Sequence, residues 1–247
     1  MLPENISPTV QHPGQEGKTL SKLPLTLGTD NRAAARASDV ILVCVKPQAV
    51  GQVVHEVGPE LNDKKLAISI AASVPTDYVE RRLSAKVPVI HAMPNTPPML
   101  RTDITAISKG RFAAQKDLDV ARTLFDSVGK TIVVDEKNMD AVPGLSASSS
   151  AFIYIILESL AEGGVKMGLL RELATLLAAQ TALGAAKVVL ETGNHPALLK
   201  GTVPTPAGYT IDGILELEEG DLRVTLIKAV VKASHRAREI HFKDPDS

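Results

Sequence analysis

From Leu23 to about Asp135, short apolar runs alternate with polar or amphipathic segments. Leu25-Thr26-Leu27 is brief. Asp39-Val40-Ile41-Leu42-Val43-Cys44-Val45 is continuous and β-branched, as is Leu66-Ala67-Ile68-Ser69-Ile70. Val87-Pro88-Val89-Ile90, Ile104-Thr105-Ala106-Ile107 and Thr131-Ile132-Val133-Val134 complete the set. Between them lie helix candidates at Asn31 to Ala37, Thr76 to Leu83 and Ala113 to Val128. Continuous apolar strands separated by helices predict a parallel sheet covered on both faces, a doubly wound α/β domain.

After Asn138 the strand pattern stops. Ser148 to Glu162 reads as an apolar helix broken by Gly163-Gly164 and Gly168. Leu169 to Glu191 is a long helix rich in Ala and Leu that ends at Gly193, and two more follow at about Thr210 to Glu218 and Asp221 to Ile240. The last repeats apolar residues at Leu222, Leu226, Val230, Ala233, Ala237 and Ile240, a helical spacing. The run Ala151-Phe152-Ile153-Tyr154-Ile155-Ile156-Leu157 has no polar face and demands burial all round. In so small a helical half, that predicts burial against another subunit. The opening residues 1–22 hold Pro3, Pro8, Pro13, Gly14 and Gly17 and read as loop, with a short strand near Ile6 to Val10.

Composition narrows the function classes. Of 247 residues 44% are apolar but only 3% aromatic, with no Trp, so the core must be built of Ala, Val, Leu and Ile. Twenty-seven basic and 28 acidic residues leave a net charge of −1, which removes the electrostatic case for nucleic acid. The lone cysteine, Cys44, can make no internal disulfide, and no Cys or His cluster has metal spacing. A cytoplasmic setting is expected. No apolar stretch is expected to approach the roughly 20 residues of a membrane span, and Met1 to Leu20 lacks the pattern of a secretory signal.

Ligands of doubly wound sheets sit at the carboxyl ends of the strands. Three segments there draw attention. In Val45-Lys46-Pro47-Gln48, a rigid turn presents backbone groups and a lysine suited to phosphate or ribose; an ordinary β-to-α turn explains it equally. Ile70-Ala71-Ala72-Ser73-Val74-Pro75 is small enough for a flat ring to approach, or is a turn with Pro75 at a helix start. In His91-Ala92-Met93-Pro94-Asn95-Thr96-Pro97-Pro98, prolines fix the backbone while Asn95 and Thr96 offer hydrogen bonds; His91 reads as a packing or surface histidine. A fourth segment, His195 to Thr210, is rich in Pro, Gly and Thr before a helix. Its N–H groups could take a small carboxylate with Thr205 and Thr210 as partners, or the threonines could cap the helix.

These segments occur in an order that resembles the pyrroline-5-carboxylate reductases. The matching pieces are Asp30-Asn31-Arg32, Val45-Lys46-Pro47, Ala71-Ala72-Ser73-Val74, Met93-Pro94-Asn95-Thr96-Pro97, Asp140 to Ser146, Glu162 to Gly168 and His195 to Thr210. The similarity runs from about Leu25 to Ile240. It implies an N-terminal NAD(P)-binding, Rossmann-type doubly wound sheet at residues 1–138. An all-α domain for dimerisation and substrate binding would follow at 139–247. It implies hydride transfer from NADPH or NADH to the cyclic imine 1-pyrroline-5-carboxylate, giving L-proline, and a homodimer that could assemble further. By that likeness Asn31, Val45, Lys46, Pro47, Ala71, Asn95 and Thr96 would line the cofactor site. Thr205, Ala207, Gly208 and Thr210 would hold the substrate, with Thr210 as catalytic partner of the imine nitrogen. No metal is implied, and positioning two flat reactants is the main task.

The chain departs from that family in three places. The family opens with a strand, a G-x-G-x-x-G turn and a helix, whose N–H groups approach a pyrophosphate. None of the 17 glycines here forms a G-x-G, and the sheet is expected to be incomplete at its N-terminal side, leaving exposed strand edges. Ala147-Ser148-Ser149-Ser150 replaces a turn richer in glycine. In Pro204-Thr205-Pro206-Ala207-Gly208, Ala207 adds a methyl and Pro204 removes an N–H donor. A second reading therefore stands beside the first: a catalytically silent or truncated dimerising homologue without its own cofactor binding.

Overall fold

The computed structural model describes residues 3–11, 25, 27–95 and 102–239. Thr96, Pro13, Gly14, Gly17, Thr26 and Ile240, named above, lie outside them.

Five strands form one sheet: β1 (Val40–Val43), β2 (Leu66–Ser69), β3 (Val89–Pro94), β4 (Asp103–Lys109) and β5 (Gly129–Val133), paired in that order. Five helices precede the long helical part: α1 (Asn31–Ala37), α2 (Pro47–Val57), α3 (Thr76–Glu80), α4 (Gln115–Phe125) and α5 (Ala141–Leu145). Pairing is parallel throughout except between β3 and β4. That exception corrects the all-parallel expectation. Only eight residues join Pro94 to Asp103, too few for the crossover of a dozen or more that parallel neighbours need. Helix α2 is also new, since the sequence reading placed no helix between Lys46 and Leu66. Pro47 opens it at a position where a missing N–H is harmless.

Two-residue alternation in the strands divides the interior. Ala67 and Val89 join Val50, Val54, Val57, Val74 and Val79 on one face. Leu66, Ile68, Ile90, Ala92 and Ile107 meet Leu118 and Ala121 of α4 on the other. Ile68, Ile90 and Ile107 have no exposed surface, and burying each such side chain stabilises the fold by about 1.5–3 kcal/mol. At the flank, β1 is an edge strand among the described residues, and its Leu42 is 49% exposed. This is the open edge the sequence leads one to expect. Thr9 makes an isolated parallel bridge to Gly28 apart from the sheet.

Helix α1 is fixed at both ends. The Asp30 carboxylate accepts the Ala33 N–H at 2.9 Å. The Lys65 ammonium donates to the Ala35, Arg36 and Ser38 carbonyls at 3.0, 3.0 and 2.5 Å, satisfying groups that the helix end leaves open.

The remaining helices are α6 (Ser149–Lys166), α7 (Arg171–Thr192), α8 (Pro196–Thr202), α9 (Thr210–Glu219) and α10 (Leu222–Glu239). Helix α6 runs through Gly163 and Gly164, against the expectation that they break it. Gly164 instead faces α7, where an added Cβ would lie 3.1 Å from that of Ala174. Gly193 stops α7 in the left-handed conformation, as its position predicts. Helix α8 occupies what read as loop, capped by the His195 ring, whose Nδ1 accepts the Ala197 N–H at 3.2 Å.

The chain divides into two compact units, one running to Pro143 and including the end of α10 from Ser234, the other Gly144–Ala233. Ala161, Ala174 and Ala178 are the buried apolar residues of the second unit among those described. Ala141–Lys166 and Arg171–Thr192 are long and apolar enough, by length and composition alone, to cross a membrane. This corrects the expectation that no apolar stretch approaches that length: polar residues interrupt the sequence of both helices without lowering their mean hydropathy enough to exclude them.

Candidate functional site

Parallel register brings the three N-terminal segments to one edge. Val43 pairs with Ser69, and Ser69 with His91, so the chain leaves β1 and β2 side by side, beside the end of β3. Val45 packs partly buried against the core, Lys46 is exposed and extended, and Pro47 starts α2. Ala71 is 3% exposed, held by its N–H to the Ser69 hydroxyl at 3.3 Å. Ser73 follows at φ 62°, the left-handed region that a non-glycine residue enters only when its surroundings enforce it. Asn95 sits just beyond β3 with its N–H on the Ile104 carbonyl at 3.2 Å. Its side-chain Oδ1 is buried without a hydrogen-bond partner among the described residues. Thr96 lies outside them. Asn31 is placed differently: its amide accepts from the Thr9 hydroxyl at 2.6 Å and donates to Glu56 at 3.0 Å, so it ties α1 to α2.

Beside these loops a cavity of about 210 Å³ is lined by Ser73, Pro75, His91, Glu136, Lys137, Met139 and Asp140. His91 is 4% exposed, and its Nδ1 lies 3.3 Å from Glu136 Oε1. That oxygen also accepts the Thr76 N–H at 3.0 Å. Burial raises the Glu136 carboxyl, but the hydrogen bond and charge of His91, the Thr76 N–H and the Ser108 hydroxyl outweigh it and hold the group below the usual carboxylate range. Glu136 escaped the sequence reading. The only trace was an acidic pair, Asp135-Glu136, directly after the last strand.

In the helical unit, Thr205 to Gly208 make a tight turn closed by the Gly208 N–H on the Thr205 carbonyl at 2.9 Å. Ala207 takes φ 58°, and a Cβ on Gly208 would fall 2.5 Å from the Thr205 hydroxyl, so only glycine fits there. Thr210 is the first residue of α9, half-buried, after a Tyr209 that makes no side-chain cap. The turn thus delivers Thr205, Ala207, Gly208 and Thr210 to one helix start with its free N–H groups. Among the described residues no group of His, Cys, Asp and Glu could hold a metal.

Residues 136–240 match the family described as pyrroline-5-carboxylate reductase dimerisation. Residues 3–73 match NADP oxidoreductase, coenzyme F420-dependent. Among named relatives, the pyrroline-5-carboxylate reductase of Methanosarcina acetivorans is 41% identical over 98% of this chain and 90% of its own length. That of Arabidopsis thaliana is 39% identical over 97% and 87%. A solved pyrroline-5-carboxylate reductase from Coxiella burnetii superposes with a TM-score of 0.85 at 34% identity, over 94% of this chain and 86% of that one. The Plasmodium falciparum pyrroline carboxylate reductase, solved with NADP bound, gives 0.78 at 28% identity over 92% and 85%.

Proposed function

Because the chain belongs to the pyrroline-5-carboxylate reductase family, we propose that it reduces 1-pyrroline-5-carboxylate to L-proline by hydride transfer from NADPH or NADH. The observation that carries this is the likeness to the Methanosarcina acetivorans enzyme along 98% of the chain. The part up to about residue 138 would hold the dinucleotide, and residues 139–247 the imine and the second copy of a homodimer. A single cysteine, too few for an internal disulfide, is the ground for proposing a cytoplasmic setting.

The residues fit the cofactor in kind. A buried acceptor without a partner among the described residues, Asn95 Oδ1, stands beside the small, strained Ala71–Pro75 turn at the carboxyl edge of the parallel strands. Asn31, Val45, Lys46, Pro47, Ala71, Asn95 and Thr96 would hold the dinucleotide there, Asn31 also tying α1 to α2. When bound, the dinucleotide supplies the hydride. The chain's own part is to place and exclude. Ala71 and Ala72 leave room for a flat ring, and Lys46 offers a cation to phosphate. The Thr205–Thr210 turn offers N–H groups and two hydroxyls to a carboxylate and a ring nitrogen. Thr210 is assigned the hydrogen bond to that nitrogen. A protonated imine already accepts hydride, so no acid–base triad is needed and positioning supplies most of the rate.

A second reading is a dimerising homologue that binds no cofactor of its own; within the chain, Pro204 and Ala207 in the substrate turn favour it, the one lacking an N–H and the other adding a methyl. One assay separates the two: NADPH and NADH oxidation by the purified chain with pyrroline-5-carboxylate, beside a dinucleotide titration. Substrate-dependent turnover supports the reductase. A dimer with neither turnover nor binding supports the silent homologue.

A further inference from the structure

We infer that His91 and Glu136 are positioning residues for the dinucleotide, holding the Ala71–Pro75 turn and the Met93–Asn95 segment in the arrangement that receives it. The inference rests on the reductase reading, and it names residues that the family likeness did not supply.

Three elements converge on one carboxylate. Glu136 Oε1 takes the N–H of Thr76, the first residue of α3. It also takes the imidazole of His91 in β3, and the Ser108 hydroxyl of β4 bonds to the same carboxylate. His91 pairs in register with Ser69 on one side and Ser108 on the other, so its ring is fixed between two short polar neighbours. It lies four residues before Asn95, the cofactor candidate with the unpartnered buried oxygen. Thr76 lies three residues after Ser73, whose φ of 62° persists only where the surroundings over-determine it. Val74, between them, is fully buried and pins the turn from the core side. Glu136 pins it from the other.

The network is not closed on itself. His91 Nε2 and Glu136 Oε2 are both buried and make no hydrogen bond among the described residues, and both residues line the cavity that Ser73 and Pro75 also line. The charged neighbours on that wall are Lys137, 3.7 Å from Asp135, and Asp140. Buried polar atoms are as a rule paired, so two open ones facing the cavity beside a strained turn are available to a bound group.

The test compares wild type, Glu136→Ala and Glu136→Gln by dinucleotide titration, steady-state kinetics and thermal melting. Glu136→Ala should weaken NADPH binding about tenfold, the worth of one charge-assisted hydrogen bond, with kcat at saturating NADPH within about threefold. Glu136→Gln keeps an acceptor for the Thr76 N–H and should return affinity to within about threefold of wild type. Affinity unchanged in Glu136→Ala, or kcat lost while affinity stays, overturns the inference. So does equal loss of affinity in both variants, or a wild type that binds no dinucleotide. If Glu136→Ala does not fold, His91→Phe carries the test under the same thresholds. A wild type that binds dinucleotide without turning over pyrroline-5-carboxylate sinks the reductase reading alone.

Discussion

The two compact units solve the burial of apolar surface in opposite ways. The sheet unit closes its own interior, with two apolar clusters on the two faces of five strands. The helical unit buries three alanines and leaves Ile153, Tyr154, Ile155, Leu176, Leu183 and Leu190 among many large side chains in the open. Of the exposed large apolar residues, only Ile6, Leu42, Val120 and Val133 belong to the sheet unit. So many exposed large apolar side chains are the composition expected of an association surface. The same helices satisfy length and composition for a membrane span, and they lie within residues 136–240, which match a dimerisation family. The sheet unit thus has an interior of its own, whereas the helical unit keeps most of its large apolar side chains on its surface.

The sharpest way to break that contrast is to charge the open face. Ile155 and Leu176 are 61% and 63% exposed. Replacing both with Glu should cost the lone sheet unit nothing and abolish the dimer. Sedimentation should then report monomer or aggregate, with pyrroline-5-carboxylate reduction lost. A double variant that stays dimeric would place the interface elsewhere.

Within the sheet unit the largest single effect is expected at Ile68, which is fully buried in the middle of β2. Ile68→Ala should destabilise by about 2–5 kcal/mol, from lost transfer energy plus a cavity. Denaturant unfolding should show the shift at any protein concentration, since this core needs no partner. A destabilisation relative to wild type that changes with protein concentration would contradict the self-sufficiency of the unit.

Gly164 probes the packing of α6 against α7 within the helical unit. Its missing Cβ lets α6 approach Ala174 of α7. Gly164→Leu should overpack this crossing and cost about 1–3 kcal/mol, whereas Gly164→Ala, near 3.1 Å of the Ala174 Cβ, should be close to neutral as helix propensity offsets the crowding. Thermal melting of the dimer reads both. Equal effects would mean the helices simply move apart.

The same contrast governs what was legible beforehand. Strand alternation is a local signal, so all five strands were found, as was α1 with its bounds. The direction of β4 was not, because pairing sense depends on how eight connecting residues turn. Helix α2 was hidden because Pro47 was read as a turn residue instead of a helix start. In the helical unit, the glycines at 163 and 164 look like breakers until the packing partner is known. Of the site, the three loops were visible because small and proline-rich segments after apolar strands are unusual. Glu136 was not, since its meaning comes from His91, Thr76 and Ser108, residues 45, 60 and 28 positions away.

The smallest effect sits on the surface of the sheet unit and tests whether its exterior matters at all. Glu60 accepts from Arg32 at 2.7 Å and Arg36 at 2.8 Å. Its hydrogen bonds to Arg36 and then Arg32 bring its carboxyl from 4.5 down to about 2. A carboxyl lowered on folding stabilises the folded state above its unfolded value and loses that contribution as pH falls through the folded one. The Glu60 contribution should therefore be complete above about pH 4.5 and fade between there and about pH 2. Both guanidiniums are more than half exposed, at 52% and 68%, so water and salt screen the cluster. Glu60→Gln should lower the melting temperature slightly at neutral pH and at low salt. The difference from wild type should vanish toward the acid end and at high salt. A difference that grows on acidification would reverse the sign of the linkage and remove Glu60 from the account of how α1 is anchored to the turn at Gly58–Glu60.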